Sequence, residues 1–118
     1  YLKYGGFFEP YFMYYEDSDY SAQLVRAGEQ LYYEPRVVIK HYVPAVTAKS
    51  ALAIFYLTRN HWLFWVRTTS GLARLTAAVA ICIFQVIRLL KNLDSAERRQ
   101  AIWQAWAQAL KRQYGKTF

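Results

Sequence analysis

Three carboxylates, Glu16, Asp17 and Asp19, lie within four positions of the chain, directly after the mostly aromatic residues 11–15. Adjacent carboxylates repel one another and apolar neighbours desolvate them, and both effects make a carboxylate a stronger general base. The more ordinary interpretation is that they begin a helix, because acidic side chains are common at its first turn. On spacing alone, carboxylates in this pattern more often cap a helix than act as a general base.

A second candidate for chemistry is His41, which follows the β-branched residues 37–39. A side chain at the end of a strand can project into a cleft, and a neutral imidazole is a good ligand for a divalent cation. A histidine with no partner in view is more often structural. Metal ligation by His41 therefore needs an independent signal.

The elements that would position these residues are one helix and two strands. Apolar residues of helical spacing predict a helix at 17–27, and Gly28 suits its C-terminal cap. Residues 31–33 and 37–39 are typical of two short strands separated by a proline. One helix and two strands bury too little surface to be stable alone. We therefore expect further strands to come from an N-terminal region outside this chain.

The rest of the chain is predicted to be helical, at 48–67, 72–93 and 96–114. It is also basic, with twelve basic and two acidic residues in 40–118 against three basic and six acidic in 1–39. The basic residues are interleaved with aliphatic stretches and match no nucleic-acid-binding motif, which argues against a nucleic-acid partner.

An anionic membrane surface fits this basic, tryptophan-containing region better. The longest uncharged run, 75–87, is shorter than the roughly 20 residues of a membrane-spanning helix, so we expect a helix that lies on the membrane or a hairpin that dips into it. A helical subdomain packed on a catalytic core is the alternative. Arg59, Asn60 and His61 interrupt the first of these helices, and a polar edge is favoured over an acceptor cleft for them. The single cysteine, Cys82, is predicted to be a buried, inert thiol.

Residues 5–19 resemble a segment of the family 2 glycosyltransferases. That segment begins Gly-Gly-Phe, continues through an aromatic-rich run and ends Glu-Asp-x-Asp. Arg26, Gly28, Pro35 and His41 follow in the order that the family shows, and residues 56–60 are similar to the membrane-proximal helix of its rhamnosyltransferase-like branch. The resemblance covers about residues 4–67.

This resemblance implies an α/β chain with the nucleotide-binding GT-A fold, of which residues 1–46 would form the acceptor-side end and 47–118 a helical, membrane-associated C-terminal region. It implies transfer of a sugar, with inversion, from a nucleotide-diphosphate donor to a saccharide or lipid-linked acceptor in cell-wall or polysaccharide biosynthesis. The expected location is peripheral, at the cytoplasmic face of the cell membrane, with the cytoplasm as the alternative.

The resemblance also assigns roles to residues of this chain. Asp17 would be the general base, and His41 would help to hold a divalent cation, Mg²⁺ or Mn²⁺. The positions that would orient the acceptor, hold the helix start or let the backbone approach the sugar are Glu16, Asp19, Gly5 and Gly6.

Two departures from the family pattern bear on activity. Gln23 stands where the family often has an arginine, and the family's Asp-x-Asp metal motif and nucleotide-binding strands would lie upstream of this chain. We therefore expect the remaining metal ligands to lie in the absent half and this piece to be inactive alone. The alternative function is a non-catalytic membrane-binding or interaction module.

Overall fold

The structure, a computed structural model, describes residues 3–40, 42 and 50–117. It contains a short 3₁₀-helix, Glu9–Tyr11, and four α-helices. In chain order the α-helices are α1 (Glu16–Arg26), α2 (Ala51–Thr68), α3 (Gly71–Leu90) and α4 (Ala96–Leu110). All four lie close to the predicted ranges, although α4 ends four residues earlier than expected.

The α/β prediction is wrong: the described part of the chain contains no strand, so it is all-helical and not a GT-A fragment. Residues 31–34 and 37–40, which include both predicted strands, are irregular and exposed, and Tyr33, Val38 and Ile39 are 89%, 80% and 83% exposed. A strand needs a neighbour to accept and donate its backbone hydrogen bonds. Within the described residues none is present, so the β-branched pattern is left without a sheet.

Serine hydroxyls begin two of the helices. Ser50 Oγ accepts from the Ala53 amide at 3.1 Å and Ser95 Oγ accepts from the Arg98 amide at 3.3 Å, which satisfies a backbone donor at the start of α2 and of α4. The predicted break at 94–95 is thus a helix start. At the other end of α1, Gly28 has a φ of 84°, as expected of a C-terminal glycine cap.

Helix α2 is the centre of the molecule, and α1, α3 and α4 all pack against it. Phe55 and Tyr56 of α2 form the core with Ala101 and Ala105 of α4. The two alanines lie one turn apart on α4, and their small side chains let the helices approach closely. Helix α2, the most buried of the four, therefore lies where its side chains can contact the loop that precedes α1.

Candidate functional site

The loop at residues 10–15, which leads into the carboxylates, is held by the side chain of Asn60 in α2. The Asn60 amide nitrogen donates to the carbonyls of Tyr11 at 2.8 Å, Met13 at 2.7 Å and Tyr14 at 3.2 Å. Asn60 is fully buried, so these bonds replace water for the loop backbone. A side chain of α2 thus helps to fix the conformation of this loop.

Arg59 binds the same loop and joins it to the C-terminal segment. Its guanidinium donates to the carbonyls of Pro10 at 3.3 Å, Tyr11 at 3.2 Å and Gly115 at 2.8 Å, and it lies 4.8 Å from the centre of the Tyr56 ring. Arg59 is fully buried, and burial lowers its pKa. The preference for a polar edge was therefore wrong for Arg59 and Asn60, which are framework residues.

Three aromatic residues of this loop have a left-handed backbone. Phe12, Tyr14 and Tyr15 have φ values of 63°, 68° and 73°. A bulky residue in this region costs on the order of 1–3 kcal/mol, and such strain is found mainly at functional sites. The strain here immediately precedes Glu16 and Asp17.

Asp19 belongs to the framework. It is 1% exposed, accepts from Arg67 Nε and Nη2 at 3.1 Å each, and accepts from the Tyr11 hydroxyl at 3.1 Å. Burial, followed by the Asp19 charge, raises the pKa of Tyr11, so the phenol stays a donor. Asp19 thus ties α1 to α2. Arg67 is held in this ion pair.

Asp17 and Glu16 differ from Asp19 because neither has an ion-pair partner among the described residues. Asp17 is exposed, and its Oδ1 accepts only from the adjacent Ser18, from the amide at 2.7 Å and the hydroxyl at 3.2 Å. Glu16 is half-buried, and its Oε2 is buried without a hydrogen-bond partner in the described structure. Tyr15 occupies the N-cap position, so the two carboxylates lie in the first turn of α1.

His61 of α2 has another buried polar atom, Nδ1, without a hydrogen-bond partner among the described residues. Its ring stacks on Tyr15 with 5.7 Å between ring centres, and its Nε2 accepts from Trp65 Nε1 at 2.6 Å. Burial, with a smaller contribution from the Arg88 charge, lowers the pKa of His61 to about 4. The neutral ring therefore carries its proton on Nδ1, which is buried and has no partner within the described ranges.

The glycine loop is connected to α1 through Gln23. The Gln23 amide donates to the Tyr4 carbonyl at 2.6 Å, next to Gly5 and Gly6. Gly5 has a φ of 76° and faces open space where a Cβ would stand, whereas Gly6 does not have a positive φ. Gln23, which stands where the family often has an arginine, thus supports the loop by a hydrogen bond to the backbone.

The expected divalent cation would need several oxygen or nitrogen donors close together. His41 lies outside the described residues. Among residues 3–40, 42 and 50–117 no three His, Cys, Asp or Glu side chains are grouped so that they could hold a metal ion, and Asp19 is already committed to Arg67. The described residues therefore show no metal site, and a cation held by His41 together with ligands outside this chain stays a prediction.

Two polar features of the site could be found from the sequence only in part. Arg59 and Asn60 stood out as polar residues in an apolar helix, which was a signal of importance but not of role. The missing partners of Glu16 Oε2 and His61 Nδ1, and the stacking of His61 on Tyr15, depend on packing and have no signal in the sequence.

No protein-family model, curated protein or solved structure matches this chain. The resemblance to family 2 glycosyltransferases therefore remains an inference from the motifs of residues 4–67.

Proposed function

We propose that this chain provides the acceptor side of a glycosyltransferase that uses a nucleotide-diphosphate sugar. The observation that carries the proposal is the contrast between the carboxylates. A buried network holds Asp19, while Asp17 stays exposed without an ion pair and Glu16 keeps a buried oxygen unpaired. A helix start that needed only capping would not require a strained loop to present these groups.

In the proposed reaction Asp17 is the general base. Its carboxylate takes the proton of an acceptor hydroxyl while the hydroxyl oxygen forms a bond to the anomeric carbon of the donor. The bond from that carbon to the diphosphate oxygen breaks, and the nucleotide diphosphate leaves with the electron pair. Attack from the opposite side inverts the anomeric centre. The donor is bound outside the described residues.

Glu16 and His61 would orient the acceptor. Glu16 Oε2 can accept a hydrogen bond from a sugar hydroxyl, and His61 Nδ1 can donate one. Each of these buried atoms lacks a partner in the described structure, and pairing them on binding would remove a desolvation cost of about 1–3 kcal/mol per group. Asp19 and Arg67 would keep α1 at the angle that this requires.

The test uses the natural gene product that contains this chain. It is incubated with a panel of UDP-, GDP- and dTDP-sugars and membrane or saccharide acceptors, and transfer is measured for the protein and for Asp17→Asn. We expect Asp17→Asn to lower transfer by about 10²- to 10⁴-fold, because a general base contributes that much. Nucleotide binding should be unchanged.

Asp94→Asn is the matched control, since Asp94 is an exposed carboxylate far along the chain at the turn before α4. It should transfer sugar like the unaltered protein. Equal transfer by Asp17→Asn would remove Asp17 as the base, and no transfer by the unaltered protein from any donor would contradict the enzymatic proposal.

A membrane-binding module without chemistry is the second candidate, and the surface of α3 favours it. By length and composition α3 could cross a membrane, with a mean hydropathy of 1.8, and only 11% of its most apolar window is buried. Flotation with anionic vesicles at low and high salt, combined with the transfer assay, separates the candidates. Vesicle binding without any transfer would favour the module, at the peripheral membrane location expected above.

A further inference from the structure

A cavity of about 530 Å³ lies between α2, α3 and α4, away from the carboxylates. Its wall is mostly apolar, and residues from all three helices contribute to it, including Trp62, Val66, Cys82, Val86, Trp106 and Leu110. This volume is within the range of pockets that bind small molecules, roughly 300–1,000 Å³. The prediction of a buried Cys82 is wrong, because this thiol is exposed and lines the cavity.

Charge in the cavity wall has one sign. Arg112 is the single ionised side chain among the described lining residues, which include no carboxylate. Arg112 is exposed and makes no side-chain hydrogen bond or ion pair with other described residues. An apolar body with one negative group would therefore be complementary to the cavity.

One residue of the wall also has a buried polar atom without a partner among the described residues. Trp106 Nε1 is buried and donates no hydrogen bond within the described part of the chain. An indole N–H can only donate, so its partner must be an acceptor such as an ester carbonyl. The ligand thus needs an apolar chain, an anionic group and a neutral acceptor.

The cavity is continuous with the exposed apolar surface of α3. Residues at helical spacing form a stripe on the face opposite the buried Ala77, Ile81 and Gln85. This exposed stripe of α3 consists of Leu72, Leu75, Val79, Ile83, Val86 and Leu90. Val86 belongs both to the stripe and to the cavity wall. If the protein lay on a bilayer with this stripe against the membrane, the cavity would lie at the level of the lipids.

We propose that this cavity takes one acyl chain of an anionic phospholipid from the membrane. The chain fills the space between the three helices, its ester carbonyl accepts from Trp106 Nε1, and Arg112 contacts the phosphate. The lipid would fix the orientation of the protein on the bilayer. The proposal does not depend on sugar transfer and holds or fails by itself.

Quenching of tryptophan fluorescence tests the proposal. A chain that keeps Trp106 alone, with Trp62, Trp65 and Trp103 changed to phenylalanine, is mixed with phosphatidylglycerol vesicles brominated on the acyl chain. We expect at least half of the Trp106 emission to be lost. The matched chain that keeps only Trp65, which is outside the wall, should lose much less.

Cavity-filling variants supply the decisive comparison. Ala109→Leu and Val66→Phe, both at wall positions, should restore the emission of Trp106 without reducing vesicle co-sedimentation. Ala107→Leu, at an exposed position of α4 outside the wall, should not restore it. Val66 is itself exposed, so this variant should fold even where Ala109→Leu does not.

Lipid composition supplies the second comparison. Arg112→Gln should weaken binding to phosphatidylglycerol about tenfold and leave the weak binding to phosphatidylcholine unchanged. Unaltered quenching in both filling variants would overturn the proposal, because the bromines would then reach Trp106 from the surface. Quenching by free brominated fatty acid but not by vesicles, or a dimer that the filling variants abolish, would also overturn it.

Discussion

Helices α2 and α3 both depart from the usual pattern of buried apolar and exposed polar side chains, but they do so in different ways. Helix α2 buries four consecutive polar residues, whereas α3 exposes most of its large apolar ones. The buried residues of α2 are Thr58, Arg59, Asn60 and His61. An exposed apolar residue is common in proteins, but a buried polar cluster and a continuous apolar surface are both informative.

The difference teaches where each helix finds its partners. The polar residues of α2 bind the loop before α1, the C-terminal segment and, through Thr58, the side chains of Gln85 and Arg88 in α3. The residues of the apolar stripe of α3 stay between 51% and 82% exposed. Helix α2 therefore holds the molecule together, while α3 offers a surface to something outside it.

Removing Arg59 tests whether the buried polar residues of α2 hold the molecule together. Arg59→Ala removes the donors to three backbone carbonyls and leaves a space between α2 and the loop. The Tyr11 carbonyl keeps the Asn60 amide and the Pro10 carbonyl keeps the Gly115 amide, so of the three only the Gly115 carbonyl loses its described donor. This loss and the space left by a large buried side chain should together lower the free energy of unfolding by about 3 kcal/mol. Urea denaturation followed by circular dichroism measures this change.

Arg36→Ala is the control for the loss of an arginine, because Arg36 is exposed and pairs only with Glu34. An exposed ion pair contributes about 0–1 kcal/mol, so the control should unfold almost like the unaltered protein. If Arg59→Ala is no less stable than Arg36→Ala, the buried network does not hold the loop.

A second prediction concerns pH, through His61. The folded pKa of His61 is about 4, below the 6.5 of an unperturbed histidine, so the unfolded chain binds the extra proton first as the pH falls. Stability should therefore decrease between pH 6.5 and pH 4, by up to about 3 kcal/mol, and this contribution should be constant above pH 6.5. Urea denaturation at pH 7, 6, 5 and 4.5 measures the slope.

His61→Gln is the matched variant, since its amide oxygen can still accept from Trp65 but does not titrate. Its stability should fall less over the same pH range, because all other titratable groups are the same in both proteins. Parallel pH curves for the two proteins would show that His61 titrates normally in the folded state.

The sequence was sufficient for the helices and insufficient for their surroundings. Periodicity and the caps at Ser95 and Gly28 are local properties, so the helix ranges could be predicted closely. Residues 31–33 and 37–39 have equally clear strand composition, but a strand depends on a neighbour that the described chain does not supply. That dependence is why the α/β prediction failed.

The same limit applied to the candidate site. The acidic residues at 16–19 were evident from their spacing, yet only packing distinguishes the paired Asp19 from the unpaired Asp17 and Glu16. Arg59 and Asn60 were recognised as unusual, but their partners are carbonyls 46–56 positions away along the chain. Contacts of this separation leave no periodic signal.

Adding a charge to the exposed stripe of α3 tests the other side of the comparison, and of the predicted changes it should have the smallest effect on stability. Val79 and Ile83 lie one turn apart and are both exposed, so Val79→Lys and Ile83→Lys should each change the free energy of unfolding by less than about 0.5 kcal/mol. Both should nevertheless reduce binding to anionic vesicles, although each adds a positive charge, because the lysine must be removed from the apolar part of the bilayer. Vesicle flotation measures the bound fraction.

Whether the added lysine strengthens or weakens vesicle binding distinguishes contact by charge attraction from contact by insertion of the apolar stripe. If charge attraction alone bound the chain, an added lysine would strengthen binding to anionic vesicles. Weaker binding requires that the stripe itself enters the apolar region. Ala77→Lys, on the buried face of α3, supplies the contrasting case, because it should destabilise the fold before any lipid is added. Stronger binding by Val79→Lys would therefore assign the membrane contact to the basic residues and leave the stripe for a protein partner.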